Sequence, residues 1–423
     1  QIENKKRPSH TFETASFFYF YLQVHQRINR LTFGRNKFKP EMPMSALRNQ
    51  LLISSFLLSV FYPCGILAQE STFSQLDFGI FSKGEKNAIT DVFDVSVGQT
   101  TLIEGDTVRT GVTAILPHQG NIYQNQVPAA IYIGNGYGKL AGYSQVKELG
   151  TIETPIILTN TLSVPVASEA LIRYTISRPG NEKVKSVNAI VGETNDGYLN
   201  DIRGLNVRQE HVLSAIQNAK TDRPAEGNVG AGTGTIAFGY KGGIGTSSRV
   251  LPEELGGYTV GILVQTNFGG ILEIAGVPVG KELEKYPYRN YVNEKSDGSC
   301  MIIIATDAPI GSRNLERIAK RAIMGLAKTG GIASNGSGDY VIAFSNFPNN
   351  LVTAGNAPAT RKITELINSE MTPLFAAAIE ATEEAIINSL LAAEDMTGFQ
   401  GRKVHALPKE KVLKILRKYG RIE

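Results

Sequence analysis

The sequence predicts an α+β protein built in layers, with mixed strands inside and helices outside. Three observations carry that class. Short apolar runs that read as buried strands recur along the chain, among them "AAIYIG", "PIILTN", "GILVQTN" and "CMIIIAT". Two later stretches, 313–328 and 374–393, repeat apolar residues at helical spacing. The 43 glycines and a charged content of 19 % mark a turn-rich folded chain rather than a disordered one. At 423 residues the chain can bury a large core, as one domain or two.

From Leu76 to Leu116 apolar and polar residues alternate between turn signals, the pattern of strands and hairpins. Residues 129–142 read as a strand breaking into a glycine-rich loop, and 154–164 as a buried strand ending in small polar residues. "SEALIRYTI" (168–176) opens on a serine that suits an N-cap and continues with helical period. A strand and polar loop follow at 189–204, then helical period at 208–219 and a glycine-dense stretch at 226–250. Residues 258–269 and 269–280 read as two strands, and the polar residues 281–298 as an exposed linker. Beyond it lie strand 300–306, helix 313–328, strand 340–345 and helix 374–393. Thr372-Pro373 supplies an N-cap and first-turn pair for the last helix. Its Phe375, Ile379, Thr382, Ile386 and Leu390 fall on one stripe. The basic C-terminal stretch from 401 reads as a solvated helix. Strands and helices on both sides of the linker share one body.

The first 68 residues stand apart. Residues 1–41 carry eight Lys/Arg and three Glu, without period or motif, and read as an upstream extension absent from the mature protein. Met42 through Arg48 begins a second N-terminus, followed by "LLISSFLLSVFYPCGIL" and Ala68-Gln69. A basic start, an apolar run and a small residue before polar sequence make residues 42–68 a secretory signal peptide. The run is short and broken by Pro63, so it is no membrane span. Ile66 stands where a small residue is usual, three before the cut. Export to the periplasm or the medium is the resulting expectation. The remaining body carries 34 basic and 36 acidic residues, so nothing argues for a nucleic-acid partner. Of the two cysteines only Cys300 lies in that body, which excludes an internal disulfide there. Five scattered histidines and no CxxC spacing give no metal site, and no cofactor is expected.

Several polar residues fall at the tips of apolar strands. Gly298-Ser299 stands directly before Cys300–Ala305, Asn267 ends the strand from 258, and Ser337 and Asp339 of "NGSGD" precede the strand at 340. Each could merely cap its own strand; together they could form one site. The glycine-dense stretch does not supply a phosphate loop, because Gly239 is followed by Tyr240-Lys241 rather than Lys-Ser/Thr. A serine nucleophile needs a base, and no histidine is near. Cleavage before Ser299 would free an α-amine with a reference pKa of about 7.7, able to take the proton of its own hydroxyl. Gly298, lacking a side chain, would let that hydroxyl approach its carbonyl. Ser299 thus reads as a masked N-terminal nucleophile.

"NVGAGTGTIAFGYKGGIGTSSRV", "VGILVQTNFG", "GVPVG", "GSCMIIIATDAP" and "NGSGDYVIAFS" occur in this order, with "NAITDVFDVSVG", "TNTLSV" and "GETNDGYLNDIRG" upstream. Over nearly all of 75–350 the chain resembles the self-processing aminopeptidases, the family of the L-aminopeptidase D-Ala-esterase/amidase and the β-peptidyl aminopeptidases. The resemblance implies an αββα sandwich like that of N-terminal-nucleophile hydrolases but with different strand connectivity. It implies self-cleavage between Gly298 and Ser299, giving an α chain 69–298 and a β chain 299–423 of one domain. It further implies that Ser299 is the nucleophile, that Asn267 is an oxyanion donor, and that Ser337 and Asp339 orient it and relay protons. Glu193 is implied to bind the substrate's free amino group. Some members carry an aromatic residue two positions after that glutamate; this chain has Asn195, with Tyr198 as a replacement. The family assembles as a tetramer of two-chain units and takes short peptides or amino-acid amides; the choice among β-, L- and D-residues stays open. Two rival readings are an ornithine-acetyltransferase-like acyl transferase, whose nucleophile is threonine, and a non-enzymatic periplasmic binding protein, which leaves Gly298-Ser299 unexplained.

Overall fold

The alternation after residue 95 becomes a hairpin of Ser96–Glu104 (β1) and Val108–Leu116 (β2). The computed structural model describes Phe73 and residues 75–289, 298–355 and 359–423; the expected upstream extension (1–41), the expected signal peptide (42–68) and residues 290–297 of the expected linker lie outside that range. Asn125–Gly136 (β3), Ile156–Asn160 (β4), Ile190–Thr194 (β5), Ile244–Val250 (β6), Thr259–Asn267 (β7), Ser299–Thr306 (β8) and Gly338–Ser345 (β9) complete the main strands. One sheet runs β1-β2-β4-β5, the other β3-β9-β8-β7-β6 with short strands along β3. In the second sheet β8 and β9 are parallel while β7 and β8 are antiparallel. The strand before the linker therefore pairs directly with the strand after it.

Side-chain alternation sorts the two faces of each strand. Met301, Ile303 and Ala305 of β8 pack with Leu263, Ile342 and Phe344 against Ile115, Leu158 and Ile190 of the first sheet. Cys300, Ile302 and Ile304 point the other way, onto Ser312–Lys328 (α3) and Thr372–Leu391 (α4), through Leu315, Ile318, Ala377 and Ala381. The outer face of the first sheet is covered by Val164–Ile176 (α1) and Gln209–Gln217 (α2), with Leu171, Val212 and Ala215 on Val112, Ile157 and Val191. The layers are therefore helix, sheet, sheet, helix, the four-layer α+β sandwich expected. No helix among the described residues is long and apolar enough to cross a membrane.

Several local expectations need correcting. Residues 76–95 form irregular chain with one 3-10 turn, not strands. Helix α1 starts at Val164, so Ser168 is internal and its hydroxyl donates to the Val164 carbonyl; Asn160 caps the 3-10 turn Thr161–Ser163 that leads into α1, accepting from the Leu162 and Ser163 amides. Residues 269–280 are not a strand. They wind past the end of α3, where Ile271 and Glu273 donate to the Gly330 and Thr329 carbonyls. The start of the expected linker is a helical turn at Val279–Glu282. Thr372 is already helical and Met371 occupies the cap. Nor is α4 apolar on one stripe only: Glu380, Glu383 and Glu384 are buried too. Buried Arg249 of β6 meets Glu384 at 2.7 Å and Glu380 at 3.3 Å, and Lys328 meets Glu383 at 2.5 Å. Paired charges let carboxylates enter a helix packed on both sides.

Candidate active site

Strand direction gathers the site. In the register of the larger sheet Asn267 is opposite Ser299, Ser299 is opposite Gly338, and Gly338 is opposite Gly136. The C-terminal tips of β7 and β3 thus meet the N-terminal tips of β8 and β9 at one end of the sheet. At the corresponding end of the first sheet stands Glu193, paired with Thr159. The two ends enclose a cavity of about 920 Å³ lined by Glu193, Asn195, Tyr198, Asn267, Gly298 and Ser299, among others.

Ser299 opens β8, and its position in the alternation turns it, like Met301, toward the first sheet. Its side chain is nearly buried, and the hydroxyl donates to the Gly298 carbonyl at 2.6 Å while accepting from the Gly338 amide at 3.3 Å. A Cβ on Gly298 would lie 2.5 Å from the Phe268 Cα and 2.6 Å from the Asn267 carbonyl oxygen. Only glycine fits where the serine approaches its own peptide bond.

Asn267 is held from both ends. Its Oδ1 accepts from the Ile236 amide at 2.9 Å, and its Nδ2 donates to the Asn195 carbonyl at 3.0 Å. Those partners assign the amide orientation and use one of the two N–H bonds, leaving the other for a ligand. Asn195 therefore supports Asn267 through its main chain, while its own Oδ1 accepts from the Gly197 amide at 3.0 Å. Tyr198 lines the cavity half exposed, its ring 5.1 Å from the Arg402 guanidinium carbon.

Ser337 and Asp339 are buried and bonded to each other, hydroxyl to carboxylate, at 2.8 Å. Burial pushes the Asp339 carboxyl up to about 6, against the Ser337 hydroxyl and the Cys300 backbone, which pull it down. Its other oxygen, Oδ2, is buried without a hydrogen-bond partner. The Ser299 hydroxyl makes its hydrogen bonds elsewhere, to the main chain at 298 and 338.

Glu193 is almost wholly buried at the end of β5. The Lys139 amide donates to one carboxylate oxygen at 2.9 Å and the Thr161 hydroxyl donates to the other. A carboxylate accepts about four hydrogen bonds, so capacity remains for a ligand's ammonium. Burial, then the charges of Glu193 and Asp339, raise the pKa of Tyr340 beside it. Sequence reasoning missed Thr161 and the Lys139 and Gly338 amides. Thr161 lies within the quoted "TNTLSV"; main-chain donors leave no residue-type signal at all. Behind the site, burial pushes Asp196 up and Lys241 down, each to about 7, and the Lys241 ammonium donates to the Gly232 and Gly242 carbonyls. That bond pair ties down the glycine-dense loop, whose role here is support of the cavity wall.

Comparison with known proteins gives a consistent result. The model of Peptidase family S58 matches residues 87–404. The chain is 41 % identical over 362 residues to the beta-peptidyl aminopeptidase BapA of Sphingosinicella microcystinivorans, covering 80 % of this chain and 90 % of that one. Among solved structures it is similar to the PH0078 protein from Pyrococcus horikoshii OT3, at 51 % identity and a TM-score of 0.76, over 82 % of this chain and 98 % of that one. It is similar at 36 % identity and the same TM-score of 0.76 to the L-aminopeptidase D-Ala-esterase/amidase from Ochrobactrum anthropi, over 82 % of this chain and 98 % of that one. That structure is described as a prototype for the serine aminopeptidases and a new variant among the Ntn hydrolase fold. The non-enzymatic reading of the sequence falls with these matches. With the family's pattern running through both sheets and its strand tips converging on Ser299, this chain belongs to peptidase family S58 and is a serine aminopeptidase.

Proposed function

We propose that the chain cuts itself between Gly298 and Ser299, and that Ser299, now N-terminal, removes residues bearing a free amino group from short peptides and amino-acid amides. The observation that carries this reading is the Ser299 hydroxyl held 2.6 Å from the Gly298 carbonyl oxygen, at a position where Gly298 has no room for a side chain. Attack by Oγ on that carbonyl carbon forms an ester as the Gly298–Ser299 C–N bond breaks and the nitrogen takes up the proton. Water then hydrolyses the ester, leaving a Gly298 carboxylate and a free α-amine on Ser299. In turnover that amine takes the hydroxyl proton as Oγ attacks the substrate carbonyl and passes it to the leaving amine; water then hydrolyses the acyl ester on Ser299, releasing the residue's carboxylate and restoring the hydroxyl. The unused Asn267 N–H stabilises the oxyanion. Ser337 and Asp339 orient the new terminus, and the buried Glu193 carboxylate receives the substrate ammonium. The likeness to a beta-peptidyl aminopeptidase supports β-amino acids as acyl residues, alongside L-residues.

The same reading takes residues 42–68 as an export signal and the mature enzyme as periplasmic or secreted, beginning near Gln69. It takes the working unit as a tetramer of two-chain protomers. Intact-mass measurement with a peptidase assay tests the core of the proposal. Wild type should give two chains meeting at 298/299, and Ser299→Ala one inactive chain. A folded Ser299→Ala protein that hydrolyses aminoacyl amides at the wild-type rate overturns it.

A further inference from the structure

The cavity beside Ser299 carries charges of both signs on different elements. Glu193 enters it from β5, whereas Glu284, Lys285 and Arg289 enter from the chain that follows the turn at Val279–Glu282. Glu284 and Arg289 neutralise each other, with 2.7 Å between Nη2 and Oε2. Lys285 has no ion-pair partner among the described residues. Its ammonium lies 3.9 Å from the centroid of the Tyr240 ring, a cation–π contact. A Cβ on Gly239 would sit 2.8 Å from the lysine Cε, so the glycine leaves the trough in which the stem lies. Partial burial there lowers the lysine's pKa, the mark of an ammonium that has lost water without gaining an anion.

Contacts among the described residues anchor Lys285. Its amide donates to the Gly280 carbonyl at 2.9 Å, and Leu283 and Glu284 close the same turn onto Val279 and Lys281. Glu282 of that turn is paired to Lys418 at 2.9 Å and accepts from the Tyr419 hydroxyl at 2.8 Å, which fastens it to the C-terminal helix. A cut at 298/299 breaks none of these contacts.

We propose that Lys285 binds the C-terminal carboxylate of the leaving residue, so that the preferred substrates are short peptides with both ends free. This rests on the aminopeptidase reading above, which puts the substrate's ammonium on Glu193. With that end fixed and the acyl carbon at Ser299, the remaining charge of a dipeptide lies on the leaving side of the cavity. A volume of about 920 Å³ holds a di- or tripeptide. Lys139 is the other unpaired cation lining the cavity among the described residues. Its amide donates to Glu193, which places its backbone at the ammonium's end of the cavity.

The test compares β-alanyl-L-alanine, its C-terminal amide and β-alanyl-L-aspartic acid α-amide, with the matching L-alanyl series. For wild type, kcat/KM for the free acid should exceed that for the amide by about tenfold, the size of one charge-assisted hydrogen bond. Lys285→Gln should bring the ratio near one, Lys285→Arg should keep most of it, and Lys139→Gln should keep it all. Raising ionic strength should shrink the wild-type ratio, because the contact is partly exposed. A wild-type ratio near one overturns the proposal without needing any variant. So does a ratio that survives Lys285→Gln, one that collapses in Lys139→Gln, or rescue of the amide by the aspartyl side chain alone. Failure of the underlying reading looks different: N-acetylated and free-amine substrates would then be cleaved equally.

Discussion

Asp339 sits where a charge is costly, and that cost is measurable. Its folded pKa of about 6 lies above the roughly 4 of an unfolded aspartate, so folding takes up a proton between those values. The stability carried by the protonated form is complete below about pH 4 and lost as pH rises through about 6. In the uncleaved Ser299→Ala chain, Asp339→Asn should therefore raise Tm at about pH 8 and raise it less at about pH 5, read by scanning calorimetry. With Ser299 restored, the same change should slow processing and turnover, because a neutral amide cannot hold a proton or an ammonium. Unchanged processing would remove Asp339 from the proposed machinery. At this scale the sequence was legible where chemistry and position coincide. Gly298-Ser299 before an apolar strand, and Asn267 at a strand end, stand out without a structure. Thr161, the Lys139 amide and Lys285 do not, since each acquires its meaning from a partner tens of residues away.

Elements decide how closely the peptide bond at 298 is presented. The β7–β8 ladder runs from Val260 opposite Thr306 to Asn267 opposite Ser299, so the proposed cleavage site adjoins the last rung of a continuous antiparallel pair. Gly298→Ala would drive a methyl into the Phe268 Cα and the Asn267 carbonyl, and backbone at a ladder's end can yield only by fraying. Processing should slow by about 10²-fold or more, since a displacement near 1 Å costs that much in attack geometry. Time-resolved intact mass of freshly made protein would show it; processing at the wild-type rate would mean the contact is relieved without moving Ser299. Strands β7, β8 and β9 were readable from their apolar runs because both their faces are buried. The false strand at 269–280 has the same residue types, but its amides bond to the end of α3 instead of to a sheet. The buried glutamates of α4 were unreadable for a related reason: the cations that admit them, Arg249 and Lys328, lie on other elements.

On the scale of the molecule, the proposed cut falls inside the core rather than between domains. The central sheet orders its strands β3-β9-β8-β7-β6, so a break before β8 leaves β3, β6 and β7 on one chain and β8 and β9 on the other. The new β chain would be flanked on both sides, by β7 through eight register pairs and by β3 through the ladder to β9. Leu263, Ile303 and Ile342 from both chains share the layer between the sheets, and of the β chain's helices α4 packs on β6 and β7 and α3 on β3 of the α chain. Separating the chains would expose both faces of the sheet, at about 25 cal/mol for each Å² of apolar surface. The processed protein should therefore run as one species in size exclusion without denaturant. Both fragments should unfold in a single transition, monitored by tryptophan-free far-UV signal and by Tyr fluorescence, since the chain has no Trp and 16 Tyr. Two separable transitions, or elution of an isolated 299–423 fragment, would mean that the strands on either side of residue 298 do not form one cooperative core. The linker's scission is then expected to change what Ser299 can do chemically while leaving the fold around it intact.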